Sequence, residues 1–149
     1  MSGRPVDILI VEDNDGERAS IVAALQAAIP NVQVIDFHHG LEALDFLFGR
    51  GEWIARLGGP PPKLILLDLS LTGSKGYFLL GQIRSIEPGS ALTLTPVVMF
   101  TDSTSASDIM ECYRCGANSY VAKPVSFPEF KAVVETVGRY WITHNLTAA

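Results

Sequence analysis

The chain has 149 residues, 48% of them apolar and 18% charged, which is the size and composition of one globular domain and excludes a disordered segment. Sixteen acids against eleven bases leave a net charge of −5, which argues against a general nucleic-acid binder and offers no anchor for anionic lipid. The longest aliphatic runs, such as Leu64–Leu67, hold four residues, far short of the ~20 that a membrane span requires.

In chain order, the first apolar run is Ile8–Val11, which stops at Glu12-Asp13. That segment is too short and too closely followed by acids for a secretory signal, so a cytoplasmic protein is expected. Asn14-x-x-Glu17 reads as a capping box opening a helix whose stripe is Ile21, Leu25 and Ala28. Val32–Phe37 alternates and reads as a second strand. His38-His39 follow it; adjacent histidines should face apart, in a solvated turn rather than a metal site. Leu41, Leu44 and Leu47 or Phe48 mark the second helix. Gly49–Pro62, with Trp53, Leu57, Gly58-Gly59 and three prolines, reads as an extended helix end and a stiff loop.

Leu64–Leu67 is the third strand and ends at Asp68; Val97–Phe100 is the fourth and ends at Thr101. Between them Leu79/Leu80, Ile83 and Ile86 carry a helical period. Ser105-x-x-Asp108 opens the fourth helix, with Ile109, Met110 and Tyr113 on its stripe. Cys112-x-x-Cys115 lies near that helix's end, before Gly116, and has no second ligand pair, so it reads as structural. Two cysteines in all fit a reducing compartment. Ser119–Ala122 is the last strand, followed by Lys123-Pro124. Ser126-x-x-Glu129 then opens a helix carrying Phe130, Val133/Val134, Val137 and Tyr140/Trp141, and residues 143–149 should fray.

A strand followed by a helix, five times over, predicts an α/β, doubly wound, flavodoxin-like (βα)5 three-layer sandwich around a five-stranded parallel sheet, in a single domain spanning 1–149 with its core at about 6–142 and no output domain. In such sheets ligands bind at the carboxyl ends of the strands. Glu12, Asp13, Asp68 and Thr101 all fall there, with Lys123 after the fifth strand. Two carboxylates about 4 Å apart repel by roughly 4 kcal/mol at an effective dielectric of 20. Such a cluster either takes up a proton or holds a cation, and oxygen donors suit Mg²⁺. A carboxylate, a hard cation, a Lys and a Thr hydroxyl together are what phosphoryl transfer to an aspartate requires.

The ordered set Glu12-Asp13, Asp68, Thr101, Tyr120 and Lys123-Pro124 resembles two-component response-regulator receiver domains over about residues 6–142. The resemblance implies a phosphoacceptor, Asp68, served by a sensor histidine kinase. It implies Mg²⁺ on Asp13, Asp68 and the Ser70 backbone carbonyl, with Glu12 reaching the metal through water where the family more often has Asp. Thr101 would bond the phosphoryl group, Lys123 would pair with it, and Tyr120 would turn inward as the switch aromatic. Gly76 matches the family's glycine eight positions after the acceptor.

Two residues depart from the pattern. Thr72 stands where Pro is common, loosening that loop. Asp102 follows Thr101 where a small residue is the rule, and its carboxylate either repels an incoming phosphoryl group or points to solvent. The loop Gly49–Pro62, Thr101-Asp102-Ser103 and Tyr140-Trp141 are also similar to the stand-alone receivers that partner bacterial phytochrome kinases.

On this reading the chain is a phosphoacceptor signalling domain and not an enzyme, acting on an unknown downstream protein, without nucleic acid or membrane. Its fourth- and fifth-helix surface should form a homodimer, Val133/Val134, Val137 and Trp141 being carried on the last helix. A phosphorylation-independent docking scaffold is the alternative. A haloacid-dehalogenase-type phosphatase would need Asp where Ser70 stands. A flavodoxin-like electron carrier would need hydroxyls and amides in the acidic loop from Glu12 to Glu17.

Overall fold

The computed structural model describes residues 5–71, 74–86 and 90–148. The elements are β1 (Ile8–Val11), α1 (Asp15–Ala28), β2 (Val34–Phe37), α2 (Gly40–Phe48), a 3₁₀ helix (Gly51–Arg56), β3 (Leu64–Leu67), the two short strands β4 (Ser70–Leu71) and β5 (Ser74–Lys75), α3 (Gly76–Arg84), β6 (Val97–Thr101), α4 (Ala106–Arg114), β7 (Ser119–Ala122) and α5 (Phe127–Gly138), which continues into a π-helical turn at Arg139–His144.

Five strands form one parallel sheet in the order β2-β1-β3-β6-β7. The chain steps outward from β1 to β2, then crosses back to β3 and onward, and right-handed crossovers in opposite directions put helices on both faces. Ile8, Ile10, Leu64, Leu66, Val98 and Phe100 point to one face, where α1 and α5 contribute Ile21, Leu25, Phe130 and Val134. Leu9, Val11, Ile65, Leu67, Val97 and Met99 point to the other, against Ala43, Leu44, Leu79, Leu80, Ile83 and Cys112 of α2, α3 and α4. That is why β1, β3 and β6 read as unbroken apolar runs: each of their side chains is buried on one face or the other. Full burial of each Leu or Ile stabilises the fold by about 1.5–3 kcal/mol.

At the three helix starts marked by capping boxes the N-cap half forms: Asn14, Ser105 and Ser126 side chains accept from the backbone N–H groups of Glu17, Asp108 and Glu129, while the Asn14 N–H donates to Glu12 rather than Glu17. Elsewhere the structure revises the sequence reading. Residues 49–62 do not prolong α2. The helix stops at Phe48 because Gly49 is left-handed (φ 66°), and a Cβ there would lie 2.6 Å from the Leu57 backbone. The segment then forms its own 3₁₀ helix, held by Trp53 packed edge-on against Phe37 and Phe46. The β4–β5 hairpin has no period in the sequence to announce it.

The C-terminal residues do not simply fray. The π-helical turn reaches His144, and Thr147 and Ala148 line a cavity of about 20 Å³ with Pro61, Pro62 and Pro96. The apolar stripe of α5 is spent on the core: Val134 is buried, and Val133, Val137 and Trp141 pack beside it. On α4, by contrast, Met110 and Tyr113 are exposed. His38 and His39 are exposed as expected but do not face apart. The strand ends at Phe37, strict alternation ends with it, and the two rings lie 4.1 Å apart.

The amino-end edge of the sheet is tied by Arg84. Its guanidinium donates to the carbonyls of Gly116 (3.0 Å), Thr93 (2.7 Å) and Thr95 (2.8 Å) and to Asn118 Oδ1 (2.7 Å). Asn118 Oδ1 also accepts from the Val97 N–H at 2.8 Å, so α3 is joined to the segments leading into β6 and β7. Arg84→Ala is expected to cost about 2–3 kcal/mol, lowering the urea midpoint without changing the slope. Arg84→Lys should recover less than half of the loss, because one ammonium cannot reach four diverging acceptors.

Candidate functional site

Glu12 and Asp13 leave the end of β1, and Asp68 leaves the end of the adjacent β3. This is the point where the strand order reverses, which opens a crevice at the carboxyl ends of the strands. One carboxylate oxygen from each of Glu12, Asp13 and Asp68 can be chosen so that all three lie within 4.8 Å of one another. Glu12 is buried at 2% exposure and Asp68 is buried beside it. Asp68 Oδ1 accepts from the Ser70 N–H at 3.3 Å, which orients the carboxylate over its own loop.

Lys123 reaches this cluster from the end of β7. Its N–H donates to the Thr101 carbonyl at 2.8 Å, extending the β6–β7 ladder by one step and fixing the stem of the side chain. The buried ammonium then donates to Glu12 Oε1 at 2.6 Å, Glu17 Oε2 at 2.9 Å and Asp68 Oδ2 at 3.2 Å. Burial alone would lower the lysine pKa, but the bonds to Glu12 and Glu17 and the charge of Asp68 outweigh it and hold the ammonium above the usual range. Glu12 moves the other way for an acid: burial raises it from its ordinary 4.5 to about 7, the hydrogen bond from Lys123 pulls it back, and the Asp68 charge adds to the rise.

Gly76 has a steric reason for its place. The first residue of α3 donates its N–H to the Leu69 carbonyl at 2.7 Å, and a Cβ on it would meet the Asp68 carbonyl oxygen at 2.2 Å. Only glycine lets the helix start this close to the residue that bears the central carboxylate.

Thr101 is buried at the end of β6. The loop after it is organised around Ser103, whose Oγ donates to Asp108 Oδ2 at 2.5 Å and accepts from the Ser105 N–H at 3.2 Å. Tyr120, half-buried on β7, donates its hydroxyl to the Ser103 carbonyl at 2.9 Å. A shift of the Thr101–Ser103 segment is therefore coupled directly to the tyrosine. Asp102 is exposed, the solvent-facing of the two placements open from sequence. Thr72 lies outside the described residues. Cys112 is buried and Cys115 half-buried, both as free thiols, and burial pushes the Cys112 thiol up to about 11, as suits a packing residue.

The structure thus gathers Glu12, Asp13, Asp68 and Lys123 at one point. It adds Glu17, which sequence reasoning left as a capping residue, and Ser103, which it left as part of a pattern. Nothing local marks Glu17 for this role, since its partner Lys123 lies 106 residues further along the chain.

Four carboxylates facing one ammonium leave the site with excess negative charge. Its donors are all hard oxygens, which is the chemistry that holds Mg²⁺, so the residues present fit such a cation.

The response regulator receiver domain family matches residues 8–135, and the chain belongs to that family of two-component signalling domains. The chain is 35% identical over 144 residues to the probable methanogenesis regulatory protein FilR2 of Methanothrix harundinacea, covering 95% of this chain and 86% of that protein. It is 30% identical over 149 residues to the response regulator Rcp1 of Synechocystis, covering 99% and 97%. Among solved structures, the phosphorylated cyanobacterial phytochrome response regulator RcpA is similar with a TM-score of 0.87 at 28% identity, over 98% of this chain and 100% of that one. The Mn²⁺-bound form of Rcp1 follows at 0.85 and 29%, over 97% and 100%. Among the described residues no helix is long and apolar enough to cross a membrane.

The raised Glu12 pKa has a signed consequence. The folded protein holds a proton that the unfolded chain releases near pH 4.5, so this group's contribution to stability is full below 4.5 and is lost as pH rises through about 7. A divalent cation held beside Glu12 would favour its charged form and so compete with that proton. Mg²⁺ is therefore expected to bind about fivefold to tenfold more tightly at pH 8 than at pH 6, with the dependence flattened in Glu12→Gln, as read by calorimetric titration.

Proposed function

We propose that this receiver domain accepts a phosphoryl group on Asp68 from a sensor histidine kinase in the cytoplasm, and passes the signal on through Thr101, Tyr120 and the surface of α4. The observation that carries this reading is Lys123 Nζ, held 3.2 Å from Asp68 Oδ2 within the carboxylate cluster. Asp13, Asp68 and the Ser70 carbonyl would hold Mg²⁺, with Glu12 reaching it through water. When bound, the cation would supply charge neutralisation for the equatorial phosphoryl oxygens.

In the transfer, an Asp68 carboxylate oxygen attacks phosphorus in line, and the bond from phosphorus to the donor's leaving group breaks with its electron pair going to that group. Lys123 is already charged and lies beside the acceptor, so its ammonium needs only to exchange carboxylate partners to meet the new phosphoryl oxygens. The Thr101 hydroxyl, at the end of the strand next to β3, donates to the same group. Drawing Thr101 inward strains the Ser103 carbonyl's bond from Tyr120, which releases the phenol to turn toward the sheet. The domain thereby promotes its own phosphoryl uptake and hydrolysis and is not an enzyme acting on other substrates.

A phytochrome-type kinase is the partner best supported by the likeness to RcpA, together with the folded insertion at residues 49–62 and the Tyr140-Trp141 pair on the last turn. A homodimer through α4 and α5 is supported by the exposed Met110 and Tyr113.

Intact mass after incubation with Mg²⁺ and acetyl phosphate should show one phosphoryl adduct on the wild type. The adduct should be absent without Mg²⁺ and absent in Asp68→Asn; an adduct that persists in that variant would place the acceptor elsewhere. Sedimentation with beryllium fluoride should show a dimer whose association weakens at least tenfold in Met110→Glu, the cost of placing a charge in an apolar contact.

A further inference from the structure

Three carboxylates share the Lys123 ammonium, and the bond to Asp68, at 3.2 Å, is the longest of the three. The Glu12 partner is part of the buried acid cluster. The Glu17 partner is different in kind. It stands on the first turn of α1, its side chain is 33% exposed, and its oxygen lies 2.9 Å from an ammonium whose own side chain is only 2% exposed. The side chain does not fold back on the helix start, where Asn14 caps the Glu17 N–H; it is spent on Lys123 instead.

Glu17 also lines an open cleft of about 340 Å³ with Asn14, Ser20, Pro124, Val125 and Phe127. It therefore lies between the buried lysine and solvent. As an acid in the first turn it also suits the helix N-terminus, but its side chain pairs with no arginine among the described residues and bonds to Lys123.

We propose that Glu17 is a positioning residue that holds the Lys123 ammonium partly off Asp68, and so sets how readily that carboxylate accepts a phosphoryl group. The inference rests on the acceptor role assigned to Asp68. An incoming phosphoryl group must win the lysine from Glu17, and it meets one more negative charge while doing so. In the transfer Asp68 oxygen bonds to phosphorus and acetate leaves acetyl phosphate with the electron pair, so Lys123 has to follow the oxygens of the moving group. Loss of the Glu17 charge frees the lysine to lean toward Asp68. That speeds uptake and, by the same movement, makes Asp68 a poorer ligand for a divalent cation.

The test compares wild type, Glu17→Gln and Asp15→Asn. The last removes a charge from the same helix turn but from a side chain that pairs with Arg18. Uptake from acetyl phosphate is followed by intact mass at saturating Mg²⁺, and Mg²⁺ affinity is measured separately, without donor, by calorimetric titration. Glu17→Gln should take up phosphoryl about threefold to tenfold faster and bind Mg²⁺ about threefold more weakly, the range that one partly exposed ion pair can supply. Asp15→Asn should change each by less than about twofold.

A Glu17→Gln protein that melts lower but keeps wild-type uptake and Mg²⁺ affinity would reduce Glu17 to a structural ion pair and overturn the proposal. Equal effects from both variants would overturn it too, by assigning them to general charge. If the wild type itself takes up nothing, the acceptor role of Asp68 fails, and the donor-free Mg²⁺ titration still decides whether Glu17 governs Lys123.

Discussion

A single buried ammonium sets the charge balance at the carboxyl edge of this sheet. Without Lys123, Glu12 and Asp68 would be two buried acids stripped of the ammonium that pairs with both, and removing one partner of a buried ionic cluster typically costs 3–5 kcal/mol. With it, the cluster persists but stays short of neutrality, since Asp13 and Glu17 add to the negative side. The site is stable enough to be preorganised and too negative to be satisfied. The rest of the architecture serves that condition. The β6–β7 ladder delivers the lysine, the reversal of strand order opens the crevice, and the glycine opening α3 lets the helix sit against the acceptor's backbone.

Much of this was readable beforehand because the physics is local or periodic. Runs such as Leu64–Leu67 are apolar on every residue because both faces are covered, and acids that end such runs mark the carboxyl edge. Helix caps at Asn14, Ser105 and Ser126 announce themselves by residue type at fixed spacing. The unread parts depend on contacts between segments distant in sequence. Glu17 and Lys123 are 106 residues apart, and nothing local distinguishes a capping glutamate from one that crosses to a lysine. The histidine pair departs for a simpler reason: both residues lie beyond the end of β2 at Phe37, where strand alternation no longer applies.

The α5 stripe shows how one pattern serves two readings. Val133, Val137 and Trp141 recur at helical spacing, which fits a dimer seam as well as a core face. Periodicity states that a face is covered, not by what. Here α1 and the sheet cover it, while exposed apolar side chains stand elsewhere, among them Met110 and Tyr113 on α4 and Phe127 at the start of α5.

The close approach at Gly76 also governs direction. With the first turn of α3 packed this closely on the Asp68 carbonyl, the main chain behind the acceptor leaves no room for a side chain. At the far edge Arg84 braces the segments that lead into β6 and β7. What yields between these two fixed points is the loop that Ser103 organises. On either side of the acceptor lie the hydrogen-bonded neighbours of β3, β1 and β6, while the helix that follows it is packed against the acceptor's own backbone.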